Sequence, residues 1–164
     1  MSFNANKFTR MFFVAVLVTG TAMSVARVSD ARAEGQKSAV SDPKWKSECG
    51  ACHFAYPPRF LPAESWRAIM TGLDKHFGSN AGLDAESANE ITAFLEKNAS
   101  TKKHDTTMKP LLRITETSWF KSEHREVAAS TWKLPKVKSP ANCVACHTKA
   151  ESGDFDEDNV RIPK

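Results

Sequence analysis

Apolar positions along this chain fall into short helical stripes separated by polar or proline-containing stretches, and period-two alternation is sparse. From Pro62 or Ala63 onward, Trp66, Ile69, Met70, Leu73, His76 and Phe77 recur at helical spacing, and Gly78 supplies a stop. Asp84 is a natural N-cap for the next helix, which would bury Ala88, Ile91, Phe94 and Leu95. A last amphipathic segment is predicted over about 118–128, with Trp119, Phe120, Glu123, His124 and Val127 on or near one face. Ser41-Asp42-Pro43 and Ser139-Pro140 each set a proline beside a capping residue, so a short helix is expected after each. Tyr56-Pro57-Pro58 would end the first of these, and the polar stretch 98–110 reads as a linker. The pattern predicts a mainly α protein.

Two strings fall where the proline-opened helices are expected: Cys49-Gly50-Ala51-Cys52-His53 and Cys143-Val144-Ala145-Cys146-His147. Both read C-x-x-C-H, the attachment signature of a c-type haem, and together they use all four cysteines. On a helix, positions i, i+3 and i+4 share a face, so two thiols can form thioethers to one porphyrin while the next histidine stands over its iron. Cys49, Cys52, Cys143 and Cys146 are therefore the expected covalent attachment points of two haems c, with His53 and His147 as proximal iron ligands. A zinc or iron–sulfur site built from the four cysteines would not require a histidine directly after both pairs. The expected fold is a small dihaem c-type cytochrome, short helices packed around two covalently bound haems.

The N-terminus reads as a secretory signal peptide over residues 1–33. Lys7 and Arg10 precede a mostly apolar run from Met11 to Ala26, and Ala31-Arg32-Ala33 offers a small-x-small cleavage site. The run is about 16 residues long and is interrupted by Thr19, Gly20 and Thr21, which is short for a stable membrane span. Export to the periplasm is expected, with no transmembrane segment in the mature chain. The remainder divides into an N-terminal haem-binding region, 34–105, and a C-terminal one, 106–164. The full chain has a formal charge of +4, much of it in the leader, and two anionic haems would carry the mature protein below zero. There is no basic stripe with interleaved aromatics, so nucleic acid is excluded as a partner.

The five histidines leave three for the remaining axial positions. His76 belongs to the stripe of Trp66, Ile69 and Leu73, and His124 follows Phe120 by four, so both are expected to face inward as distal ligands. Sequence proximity pairs His76 with the Cys49/Cys52 haem and His124 with the Cys143/Cys146 haem, and the reverse assignment stays open. His104 lies in a polar stretch and is expected to be solvated, while Met108 is a minor alternative as a ligand. The tryptophans and Phe60 are expected to pack against porphyrin rather than to form an electron path. Arg59, Arg67, Arg113 and Arg125 are candidate partners for haem carboxylates.

Several longer strings resemble the dihaem cytochrome c (DHC) family. They are Glu48 to His53 with Tyr56-Pro57-Pro58, Trp66, Asp74-Lys75-His76-Phe77-Gly78, Arg113-Ile114-Thr115-Glu116-Thr117, His124-Arg125-Glu126, Val137 to Cys143, and Asp154-Phe155-Asp156-Glu157. The resemblance implies an exported bacterial electron carrier, not an enzyme, with two bis-histidine haems. It further implies a membrane b-type cytochrome as electron donor and a small, oxygen-binding monohaem cytochrome c as acceptor. A monomer is expected. The rival readings are an electron-feeding subunit of an exported reductase complex and a haem enzyme with one labile axial position.

Overall fold

The computed structural model describes residues 40–102 and 109–164. The leader 1–33, His104 and Met108 lie outside the described residues. Four α-helices are present among the described residues: α1 (Pro43–Gly50), α2 (Ala63–Met70), α3 (Ala85–Lys97) and α4 (Ser118–Glu123). Single 3-10 turns make up most of the remaining regular structure, and among the described residues β-pairing is confined to two isolated bridges, so the fold is mainly α as expected.

Each helix begins where a polar side chain satisfies an otherwise unpaired N–H, or where proline removes one. The Asp42 carboxylate accepts from the Trp45 N–H at 2.8 Å, with Pro43 following it at the first helical position. Asp84 accepts from the Ser87 N–H at 2.9 Å. α2 has no side-chain cap and starts after Pro62. Thr117 caps α4, accepting from the Phe120 N–H at 3.1 Å and donating its own hydroxyl to the Ile114 carbonyl at 2.7 Å.

The main core lies where α1, α2 and α3 meet. Trp45 of α1, Trp66 of α2, and Ile91 and Leu95 of α3 are buried there together with Ala55 and Leu61. Burial of side chains this large contributes about 1.5–3 kcal/mol each. The Trp66 indole N–H donates to the Pro58 carbonyl at 2.7 Å, which satisfies its one polar atom and fixes the loop carrying the Tyr-Pro-Pro segment. Lys44 and Glu90 pair across α1 and α3.

The C-terminal part is built differently. After α4 its backbone runs through 3-10 turns at Thr131–Lys133, Cys143–Ala145, Ala150–Ser152 and Glu157–Asn159. Its buried apolar side chains are few: Phe120, Val137 and Ala150. It is tied to the N-terminal part by the Tyr56 hydroxyl, which donates to the Ala141 carbonyl at 2.7 Å, and by Arg59, which donates to the Gly153 carbonyl at 3.1 Å. Phe155 adds ring contacts to Phe54 and Phe60, and Trp119 packs on Phe60.

Three elements depart from the expected pattern. α2 stops at Met70 instead of running to Phe77, and the chain continues through Thr71 and Gly72 into a 3-10 turn at Leu73–Lys75. α4 ends at Glu123 rather than near Ala128. The helix expected ahead of the first motif ends inside it, and the second motif sits on a 3-10 turn instead of an α-helix.

Candidate functional site

Cys49 lies in the last turn of α1 and Cys52 just beyond its C-cap, so the first motif wraps the end of that helix and leads into His53. The second motif starts at the 3-10 turn Cys143–Ala145 and is held from behind. The Arg161 N–H donates to the Cys146 carbonyl at 2.8 Å, and the Thr148 hydroxyl to the Asn159 carbonyl at 3.0 Å. The four cysteines form no disulfide. Burial pushes the Cys49 and Cys143 thiols up to about 11 and raises Cys146 as well. Among the described residues no group of three or more His, Cys, Asp or Glu converges to hold an ion by itself, so the cysteines do not make one tetrahedral set.

The four candidate histidines come together in two pairs. His53 and His76 face each other with ring centroids 6.1 Å apart and planes 19° from parallel. His124 and His147 are also 6.1 Å apart, with planes at 75°. Two imidazoles bonded to one metal at about 2 Å place their ring centroids about 6 Å apart. Both pairs therefore have the separation that an iron between two ring nitrogens requires. Each pair joins a motif histidine to the distal candidate that sequence proximity assigns to it.

His76 does not reach this position on a helix face. It is the first residue of a tight turn, His76-Phe77-Gly78-Ser79, closed by the Ser79 N–H donating to the His76 carbonyl at 3.0 Å. Phe77 has φ 48° and Gly78 φ 97°, the paired positive values of a type I′ turn. Gly78 adopts this freely, whereas Phe77 is strained. Phe77 is 48% exposed, not part of an inward stripe, and its ring lies under the Arg113 guanidinium at 4.2 Å. His124 is the C-cap of α4. Its Nδ1 donates to the Phe120 carbonyl at 2.9 Å and its ring stacks on Phe120 at 4.0 Å.

The motif histidines are set by different neighbours. His53 Nδ1 donates to the Phe54 carbonyl at 2.7 Å, and its ring stacks with Tyr56 at 5.0 Å. His147 contacts Phe155 at 5.1 Å, and its Nδ1 is buried without a hydrogen-bond partner. Burial lowers the pKa of both His76 and His147, and the facing histidine of each pair adds to the shift. The neutral imidazole, which is the ligating form, is favoured. The donor set and the matched separations fit two haem irons.

Beside His53 lies a cavity of about 390 Å³, lined by Cys52, His53 and Arg59 together with Val144, Ala150 and Glu151. Tyr56, Phe54 and Phe155 are neighbours of the paired histidines that the sequence pattern did not single out as site residues. Phe155 carried one signal, being the one aromatic residue in the acidic tail.

Two C-x-x-C-H motifs on a scaffold of short helices, each with a second histidine facing its own, define the class of dihaem c-type cytochromes. The chain belongs to the dihaem cytochrome c family, whose pattern it matches over residues 45–155. It is similar to the solved dihaem cytochrome c from Rhodobacter sphaeroides, with 41% identity over 72% of this chain and 99% of that one and a TM-score of 0.65. A second Rhodobacter sphaeroides structure of the same type shares 45% identity over 71% of this chain and 98% of that chain, with a TM-score of 0.62. A dihaem cytochrome c from Shewanella baltica OS155 shares 40% identity over 74% of this chain and 92% of its own length, also with a TM-score of 0.65. A comparison with curated proteins found no match. Membership of the family means two haem c groups, an electron-transfer role and redox partners. Among the described residues no helix is long and apolar enough to cross a membrane.

Proposed function

We propose that this protein is a one-electron carrier whose two irons are each closed by a pair of histidines, and that it has no catalytic site of its own. Cys49 and Cys52 hold one haem through thioethers, with His53 and His76 as its axial ligands. Cys143 and Cys146 hold the other, with His147 and His124. The observation that carries this reading is the common 6.1 Å separation of two imidazole pairs that come from different parts of the fold.

The haems supply the ferric/ferrous couple. The chain's own work is to keep both axial positions filled and the ligands in place. His53 is oriented by the Phe54 carbonyl and His124 by the Phe120 carbonyl, each accepting the Nδ1 proton so that the opposite ring nitrogen is free to ligate. With both pairs closed, neither site offers a substrate an open position, and bis-histidine ligation sets low potentials.

The finer organisation follows the sequence. Residues 1–33 act as a cleaved signal peptide, and regions 34–105 and 106–164 each carry one haem. The mature protein works in the periplasm as a monomer. A membrane b-type cytochrome is its donor and a small, oxygen-binding monohaem cytochrome c its acceptor. These partners are supported by the family resemblance, and the acidic run from Glu151 to Asp158 supplies the charge for a weak, salt-sensitive encounter.

The optical spectrum of the dithionite-reduced holoprotein, before and after carbon monoxide, tests the closed-site reading. No change is expected. A shifted Soret band in half of the haem would show an open axial position and overturn it.

A further inference from the structure

The four arginines considered as partners of haem carboxylates have very different surroundings. Arg67 pairs with Glu96 at 2.8 Å, Arg113 with Glu116 at 3.7 Å and Arg125 with Glu126 at 3.3 Å. All three side chains are more than half exposed, at 58%, 53% and 68%. Their charges are both solvated and countered.

Arg59 is half-buried and has no carboxylate within ion-pair distance among the described residues. Its contacts are the Gly153 carbonyl at 3.1 Å and the faces of Phe60 at 5.1 Å and Phe155 at 5.5 Å. Two ring faces and one carbonyl hold the guanidinium in position, yet they use one of its five N–H donors and supply no counter-charge. Burial lowers its pKa, as expected for a cation removed from water without compensation. A half-buried cation is costly unless an anion meets it.

The cavity supplies the location of that anion. Arg59 lines the same cavity as Cys52 and His53, so a group bonded to Cys52 and standing against His53 lies within the guanidinium's surroundings. Glu151 and Lys46 also line it, and both are exposed side chains. A haem brings two carboxylates, and a planar guanidinium fork matches a carboxylate in a way a lysine cannot.

We propose that Arg59 binds a propionate carboxylate of the haem carried by Cys49 and Cys52 and, through its fixed positive charge, raises that haem's potential relative to a neutral residue at the same place. The electrostatic sign is simple: reduction adds an electron near a fixed cation, so the cation favours the reduced form. The same side chain fastens Gly153, and with it the start of the acidic tail, to the first haem's surroundings.

The test uses the two-haem protein and its Arg59→Gln and Arg59→Lys variants. Both midpoint potentials are measured at fixed pH and ionic strength, and the haem of Cys49 and Cys52 is identified by NMR contacts from its thioethers. Arg59→Gln is expected to lower the reduction constant of that haem about tenfold, or about 59 mV for one electron, while the other haem moves far less. Arg59→Lys is expected to restore most of the loss. If both variants lower thermal stability and leave the first haem's potential in place, Arg59 is only a structural clip. A shift confined to the second haem also overturns the assignment. A further measurement needs no variant: in the reduced wild-type protein the Arg59 side-chain protons should show nuclear Overhauser contacts to that haem's propionate methylenes, and their absence refutes the proposal. The inference rests on haem attachment at Cys49 and Cys52, which is checked separately by the loss of one haem mass in a Cys49→Ala/Cys52→Ala chain.

Discussion

The rings of His53 and His76 lie 6.1 Å apart and only 19° from parallel, while the equally spaced rings of His124 and His147 are crossed at 75°. The difference has local causes. His53 is stacked on Tyr56 and bonded to the Phe54 carbonyl, and His76 hangs from a tight turn. His124 is stacked on Phe120 at a helix end, and His147 leans on Phe155. The two sites have one donor set and two geometries.

That difference should be visible in the oxidised protein. Near-parallel imidazole planes split the two iron orbitals that point between the ligands, and crossed planes leave them close in energy. Low-temperature electron paramagnetic resonance is expected to show two low-spin species in equal amounts, one rhombic and one strongly anisotropic with a feature at lower field. A single species accounting for both irons would contradict the paired geometry.

Replacing one distal ligand should affect one haem. His76→Met is expected to raise the potential of the haem at Cys49 and Cys52, because a thioether stabilises ferrous iron relative to imidazole. The shift should exceed the roughly 59 mV of a tenfold change, with the other haem nearly unmoved. His124→Met should do the same for the second haem alone. A redox titration of each variant decides the pairing, and movement of the wrong haem would reverse it.

Thr117 is fully buried and uses both halves of its hydroxyl, so Thr117→Ala removes the cap of the helix that ends at His124. The expected cost is about 1–2 kcal/mol in denaturant unfolding of the holoprotein. Thr117→Ser should recover most of it. A loss of less than a few tenths would mean that α4 is held by packing alone.

Phe77 gives a near-neutral prediction. An aromatic residue at φ 48° carries strain of about 1–2 kcal/mol, and asparagine is a preferred residue at that position of a type I′ turn. Two ring contacts oppose that gain: Arg113, worth about 0.5–1 kcal/mol at an exposed site, and the His76 ring met edge-on at 4.8 Å, worth about 0.5–1.5 kcal/mol. The terms offset, so Phe77→Asn should leave the denaturation midpoint of the holoprotein nearly unchanged. A clearly lower midpoint would show that the ring contributes more to holding His76 than its exposure indicates.

The parts legible in the sequence were those written in local chemistry. The Asp84 cap, the Asp42-Pro43 start and both C-x-x-C-H strings need only a few neighbouring residues to be recognised, and the two helix starts appear as expected in the structure. Gly78 does not end α2, which stops at Met70; it takes its positive φ in the turn after His76 instead. The turn at His76 was hidden because Leu73, His76 and Phe77 continue the helical spacing of α2, and phenylalanine is a poor marker for a type I′ position. What stops the helix is the Thr71-Gly72 step, after which the Ala81 N–H donates to the Leu73 carbonyl at 2.8 Å. The contacts of Tyr56 with Ala141 and of Arg59 with Gly153 join residues 85 and 94 positions apart, and no periodicity reports such pairs.

The few buried apolar side chains of the C-terminal part have a consequence for the life of the molecule. Apart from α4, residues 111–164 are a series of single turns, and a haem held at Cys143 and Cys146 would supply much of the interior they wrap. A chain that acquires only its first haem is therefore expected to carry a poorly packed tail, more open to proteases than that of a fully loaded chain. Limited proteolysis of singly and doubly loaded protein is expected to show this, with cuts after residue 111 in the half-loaded form alone.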